Sequence, residues 1–149
     1  MTDFVQPTAI QPTTRPALLA LPGDSNALQL SGAGTSTPLQ VNVQVDASGT
    51  AQFSAPGATT QFPKIEWKPP QDQTVSASIT FTFVTGGNTP ISMTSDATQL
   101  TFDAVKGTQQ TGHCLPTQGN RSFRVTYKTQ SGQTNTTGDP IIIVTPPSL

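Results

Sequence analysis

The segment TVSASITFTFV, residues 74–84, constrains the fold more than any other part of the chain. Val75, Ala77, Ile79, Phe81 and Phe83 fall on one side of an extended backbone, and Ser76, Ser78, Thr80 and Thr82 on the other. A repeat of two residues is the signature of a strand with one buried and one solvated face. It also pins the register, because a slip of one residue would expose Ile79, Phe81 and Phe83 together.

The same alternation recurs along the chain. In LQVNVQV, Leu39, Val41, Val43 and Val45 alternate with Gln40, Asn42 and Gln44. A turn at Ala47, Ser48 and Gly49 returns the chain through Ala51 to Ser54 as a hairpin. FPKIEWKPP places Phe62, Ile65 and Trp67 toward a core and stops at Pro69 and Pro70. Beyond the turn TGGNTP, strands are expected at ISMTS and QLTFDAV. RSFRVTYKT puts Phe123, Val125 and Tyr127 on one face, and IIIV forms a last strand before Pro146 and Pro147. No window supports an amphipathic helix, and the Thr-rich, Pro-punctuated composition opposes one. The expectation is an all-β domain: a two-sheet antiparallel β-sandwich of immunoglobulin-like type with about eight strands, and a jelly roll as runner-up. The expected core is Val41, Val43, Val45, Phe53, Ile79, Phe81, Phe83, Leu100, Phe102, Phe123, Val125, Ile142 and Val144.

The ending FRVTYKTQSGQTNTTGDPIIIVTPP resembles the last hairpin of many immunoglobulin-like bacterial and phage domains, in which an aromatic strand, a glycine turn and a β-branched strand close the sandwich. The resemblance is one of fold and implies no activity. With a single cysteine, the Cys-Trp-Cys framework of antibody domains is absent.

A chain of 149 residues suits one domain. Residues 17–149 are expected to form it. Residues 1–16, with Pro7, Pro12 and Pro16 among Thr and Gln, read as an extended N-terminal arm, and Phe4, Val5 and Ile10 would let it dock on a neighbouring subunit. Seven basic residues against eight acidic ones, without like-charge blocks, leave no footprint for nucleic acid or an anionic membrane. The longest apolar runs, ALLAL and IIIV, are too short to span a bilayer. No signal segment is visible, which is compatible with a cytoplasmic protein, export without a cleaved signal, or a particle-borne subunit.

Groups for chemistry are scarce. The only histidine and only cysteine are adjacent, in GHCLP. A strand would send His113 and Cys114 to opposite faces, and Gly112 and Pro116 suggest a loop, so a catalytic pair is not expected. Cys114 reads as a packed apolar residue and His113 as an exposed loop residue. One His and one Cys make no zinc site, and Asp24, Asp46, Asp72, Asp96, Asp103 and Asp139 stand apart at turns, with no D-x-D spacing for calcium. No metal and no cofactor are expected. Glu66, the only glutamate, reads as a solvated strand residue between Lys64 and Lys68. Asn120-Arg121-Ser122 and Asn135-Thr136-Thr137 match the glycosylation sequon, as chance allows in a Thr-rich chain.

Binding is the better prospect. Candidate contact residues are Trp67, as an aromatic platform beside two prolines, and His113, Asn120, Arg121 and Arg124, within or following an expected loop from Gly107 to Asn120. The expected function is a non-enzymatic binding module that contacts a protein or glycan partner through loops or a sheet edge. The first alternative is a structural subunit of a particle, tail or filament that assembles as a homo-oligomer through residues 1–16. The second is an enzyme with a loop-borne site.

Overall fold

The computed structural model describes residues 26–146. The arm, residues 1–16, lies outside the described residues. Among the described residues the protein is all-β, with no helix. Twelve strands are formed: β1 (Ala27–Ser31), β2 (Leu39–Val45), β3 (Ala51–Ser54), β4 (Lys64–Lys68), β5 (Ala77–Phe83), β6 (Thr89–Thr94), β7 (Leu100–Phe102), β8 (Gln109–Cys114), β9 (Gly119–Ser122), β10 (Arg124–Lys128), β11 (Thr134–Thr136) and β12 (Ile141–Val144).

Instead of about eight strands in two antiparallel sheets, the strands pair into three sheets: β3-β2-β5-β8-β7, β1-β4-β12-β9 and β11-β10-β6. The pairing is mixed, since β2 runs parallel to β5, and β4 runs parallel to both β1 and β12. Side-chain alternation is the same in parallel and antiparallel pairs, so it carries no information on strand direction. The higher count comes from β1, β8 and β11, which lack a run of alternating large apolar residues, and from a break that splits RSFRVTYKT at Phe123.

That break also explains the third sheet. Only Phe123 separates β9 from β10, and antiparallel pairing continues across the gap: its N–H donates to Pro140 O at 3.0 Å, and Thr137 N–H donates to Val125 O at 2.9 Å. One long hairpin, β9–β10 against β11–β12, therefore contributes to two sheets. At one end β12 pairs with β4, and at the other β10 pairs with β6. The expected last hairpin is thus formed, with β11 inserted ahead of the IIIV strand.

The core lies where the inward faces meet. Of the thirteen residues expected there, all are buried except Phe102, which is partly buried and packs against the rest. Phe123 is the aromatic hub, with ring centroids 5.6 Å from Phe53, 6.4 Å from Phe81 and 6.2 Å from Phe102. It therefore joins the long hairpin to β3, β5 and β7. Val75 departs from expectation: β5 begins at Ala77, and Val75 is exposed. Glu66 departs too. It is buried at 2% exposure, and its Oε1 accepts a hydrogen bond from Gln29 Nε2 at 2.7 Å.

Gly107 to Asn120 is not one loop. Its middle is β8, which buries Gln110, Gly112 and Cys114 and turns Gln109, Thr111 and His113 outward. Gly112 is required by packing, not by a turn. A β-carbon there would stand 3.0 Å from the Phe102 ring and 3.1 Å from the Phe81 ring, so the rings occupy the space a side chain would take.

Candidate functional site

The structure scatters the five candidate residues. Trp67 is fully buried, and its Nε1–H donates to Gly32 O at 3.0 Å, so it offers no ring face to a ligand. Asn120 is exposed on β9, an edge strand. Arg121 and Arg124 do not act as a pair. Arg121 is buried at 3% exposure, and its Nη2 donates to Leu115 O at 3.1 Å and Thr117 O at 2.5 Å. Arg124 lies on the opposite face, 3.0 Å from Asp96 and 3.8 Å from Asp139, and the Asp96 hydrogen bond and charge raise its pKa further. No hydrogen bond joins any two of the five among the described residues.

His113 has partners that chain order conceals. Its Nε2 lies 2.9 Å from Asp103 Oδ2, and its Nδ1 lies 3.4 Å from Ser78 Oγ, across the β5–β8 pairing. In the neutral ring this assigns the proton to Nε2 and leaves Nδ1 to accept from the serine. The order Ser–His–Asp invites comparison with a nucleophile relay. A relay also needs backbone donors for an oxyanion, whereas Ser78 N–H is given to Gly34 O at 2.7 Å and β5 is paired on both sides. With side-chain exposures of 35% for His113 and 61% for Asp103, solvent weakens the contact. The array tethers the loop after β7 to the outer face of β8. Among the described residues no three His, Cys, Asp or Glu groups gather as a metal site.

Cys114 faces away from His113 and is fully buried. Burial pushes its thiol up to about 11, against a smaller opposing effect from the nearby Arg121 charge. Since the thiolate is the reactive form, the folded protein should resist a thiol-exchange reagent at mildly alkaline pH and react only when denaturant opens it. A folded-state value above the ordinary 9.0 means that this group stabilises the fold below pH 9.0, and that the contribution is lost as pH rises toward about 11. Labelling rates followed across the unfolding transition check both statements.

The most site-like feature was not among the sequence candidates. Because β2 and β5 are parallel and β10 is antiparallel to β6, the loops 46–50, 84–88 and 129–133 converge at one end of the molecule. They line a shallow, open cleft of about 470 Å³ whose lining includes Ser48, Gly49, Asn88, Tyr127, Gln130 and Asn135.

Local hydrogen bonds hold each wall. Asp46 Oδ1 accepts from Ser48 N–H at 3.0 Å, Ser48 Oγ–H at 2.6 Å and Thr50 N–H at 3.0 Å, an Asx turn that lowers the Asp46 pKa. Asn88 Nδ2 donates to Asp46 O at 2.7 Å, locking the second loop to the first. In the third, Thr129 N–H donates to Gln133 O at 2.8 Å, and its hydroxyl accepts from Gln133 N–H at 3.1 Å.

Two glycines give the cleft its shape. At Gly87 a β-carbon would lie 2.6 Å from Ala47 N, so the loops close only with glycine there. Gly49 has φ +86°, and a β-carbon on it would stand 2.7 Å from the Tyr127 hydroxyl oxygen. Tyr127 is otherwise core, at 8% exposure. Its hydroxyl makes no hydrogen bond among the described residues, and it opens into the cleft through the space that Gly49 leaves. The sequence signals were the three glycine turns, DASGT, TGGNT and QSGQT. Nothing local placed them together.

No protein-family model matches the chain, and no curated protein is similar to it in sequence. The geometry alone supports a functional reading.

Proposed function

We propose that the protein is a non-enzymatic binding module that takes a protein or glycan partner in the cleft between loops 46–50, 84–88 and 129–133. The observation behind this reading is the Tyr127 hydroxyl, a polar group without a hydrogen-bond partner among the described residues at the floor of a polar cleft with hydrogen-bonded walls. Preformed, concave sites with a few convergent polar groups are where ligands bind. In architecture we read the five-stranded sheet as one layer of an immunoglobulin-like sandwich and the two hairpin-linked sheets as the other. The contacts of Phe123 with Phe53, Phe81 and Phe102 support this.

The test is amide chemical-shift mapping of the full chain with a mixed set of oligosaccharides and short peptides. We expect perturbations to concentrate at residues 47–49, 87–88, 129–131 and 135, and to weaken in the double variant Gln130→Ala and Asn135→Ala, which removes two lining amides outside the hydrogen bonds that hold the walls. Shifts concentrated on the outer face of β5 and β8, or binding undiminished in that double variant, would defeat the proposal.

One observation favours assembly as a second reading: β11 is a sheet edge, and all three of its residues are exposed. An uncovered edge can accept a strand from another copy. Light scattering of the full chain and of a version starting at Ala17 tests it. A concentration-independent monomer in both cases would eliminate self-assembly.

A further inference from the structure

Resting on the cleft reading above, we infer that its ligand is a neutral saccharide, held by hydrogen bonds and not by ring stacking. The lining is largely hydroxyl, amide and backbone: Ser48, Asn88, Thr129, Gln130, Ser131 and Asn135 line the cleft together with Tyr127, and no charged residue contributes. The nearest acid in sequence, Asp46, has its carboxylate turned into its own turn by Ser48 and Thr50. Lys128 follows Tyr127 and is directed to the opposite face of β10. A charged ligand would find no counter-charge in the lining, and an apolar side chain would desolvate hydroxyls and amides without replacing their hydrogen bonds. A polyol supplies donors and acceptors together, matching the Gln130 and Asn135 amides, which are both, and the acceptor lone pairs left on the wall hydroxyls.

The Tyr127 ring is buried in the core, so only its hydroxyl is offered. Without an exposed aromatic face, a single site should bind weakly, with a dissociation constant on the order of a millimolar. Electrostatics supplies little of that affinity, so salt should leave it unchanged.

The experiment is a titration of the isotope-labelled full chain with neutral oligosaccharides of glucose, xylose and N-acetylglucosamine, an anionic uronate oligomer and an uncharged peptide. It is run at about 0.1 M and about 1 M ionic strength, where screening differs strongly. The critical variant is Tyr127→Phe, which deletes one oxygen that the fold does not use. At least one neutral saccharide should shift the cleft amides, with affinity equal at both salt concentrations. Tyr127→Phe should weaken it between about threefold and tenfold, the value of one hydrogen bond, with its denaturation midpoint unchanged. If only the peptide shifts the cleft amides, the ligand class is wrong and the site stands. Salt-sensitive binding of the uronate alone, or full affinity in Tyr127→Phe, likewise overturns the saccharide assignment. Shifts confined to another surface overturn both the ligand and the cleft.

Discussion

Replacing Gln110 with leucine should lower the unfolding free energy by roughly 3–4 kcal/mol, a large effect for a polar residue. Gln110 is 6% exposed and points inward from β8, where an apolar side chain is the usual occupant. Its Oε1 accepts from Met93 N–H at 2.7 Å, and its Nε2 donates to Met93 O at 3.1 Å and Asp103 O at 2.8 Å. Met93 lies on β6, the edge of the three-stranded sheet, so the amide takes the place of a missing strand. Leucine has a similar volume and would pack, yet it would leave three backbone groups without their side-chain partner. Gln110→Glu keeps the acceptor but loses the donors and buries a carboxylate, so it should be no better. Urea unfolding of both variants, with slopes compared, provides the measurement. A loss below about 1 kcal/mol for leucine would mean that solvent satisfies those groups.

Phe123→Ala should cost roughly 3–5 kcal/mol, within the range for removing a buried aromatic side chain. Phe123 is 1% exposed and meets three other rings, each pairing adding a geometric contribution beyond area. Its position raises the stakes, because the chain passes from one sheet to the next at this residue. Phe123→Leu, which retains most of the volume, should lose about 1.5 kcal/mol or less. A cooperative transition in both variants, with a midpoint shift scaling with the volume removed, would identify the ring as a packing element. Separate transitions for the two ends of the hairpin in Phe123→Ala would instead make it a folding hinge.

The two residues differ in how far the sequence announces them. Phe123 shares the alternation of Val125 and Tyr127, so its inward direction is written locally. Gln110 belongs to QQTGHC, whose inward residues are a glutamine, a glycine and a cysteine. No hydropathy pattern marks that face, because neighbouring phenyl rings fill the space at Gly112 and an edge-strand backbone occupies the polar end of Gln110. Glu66 was hidden in the same way, since it alternates outward in β4 and is nevertheless buried. Among the five candidate residues, the local pattern pointed Trp67 toward the core but gave no sign that Arg121 is buried. Trp67 and Arg121 face inward, whereas Arg124 is engaged by Asp96 and Asp139.

By itself, the sequence determined the all-β class, the inward faces of the alternating strands and the positions of the glycine turns. Each is a short-range property, set by a two-residue repeat or a backbone angle. Tertiary structure decided strand direction, the split of the last hairpin between two sheets, the Ser78–His113–Asp103 array and the cleft over Tyr127. These depend on which strands become neighbours across long stretches of chain, and that choice is made by burial and hydrogen bonding of the whole domain at once.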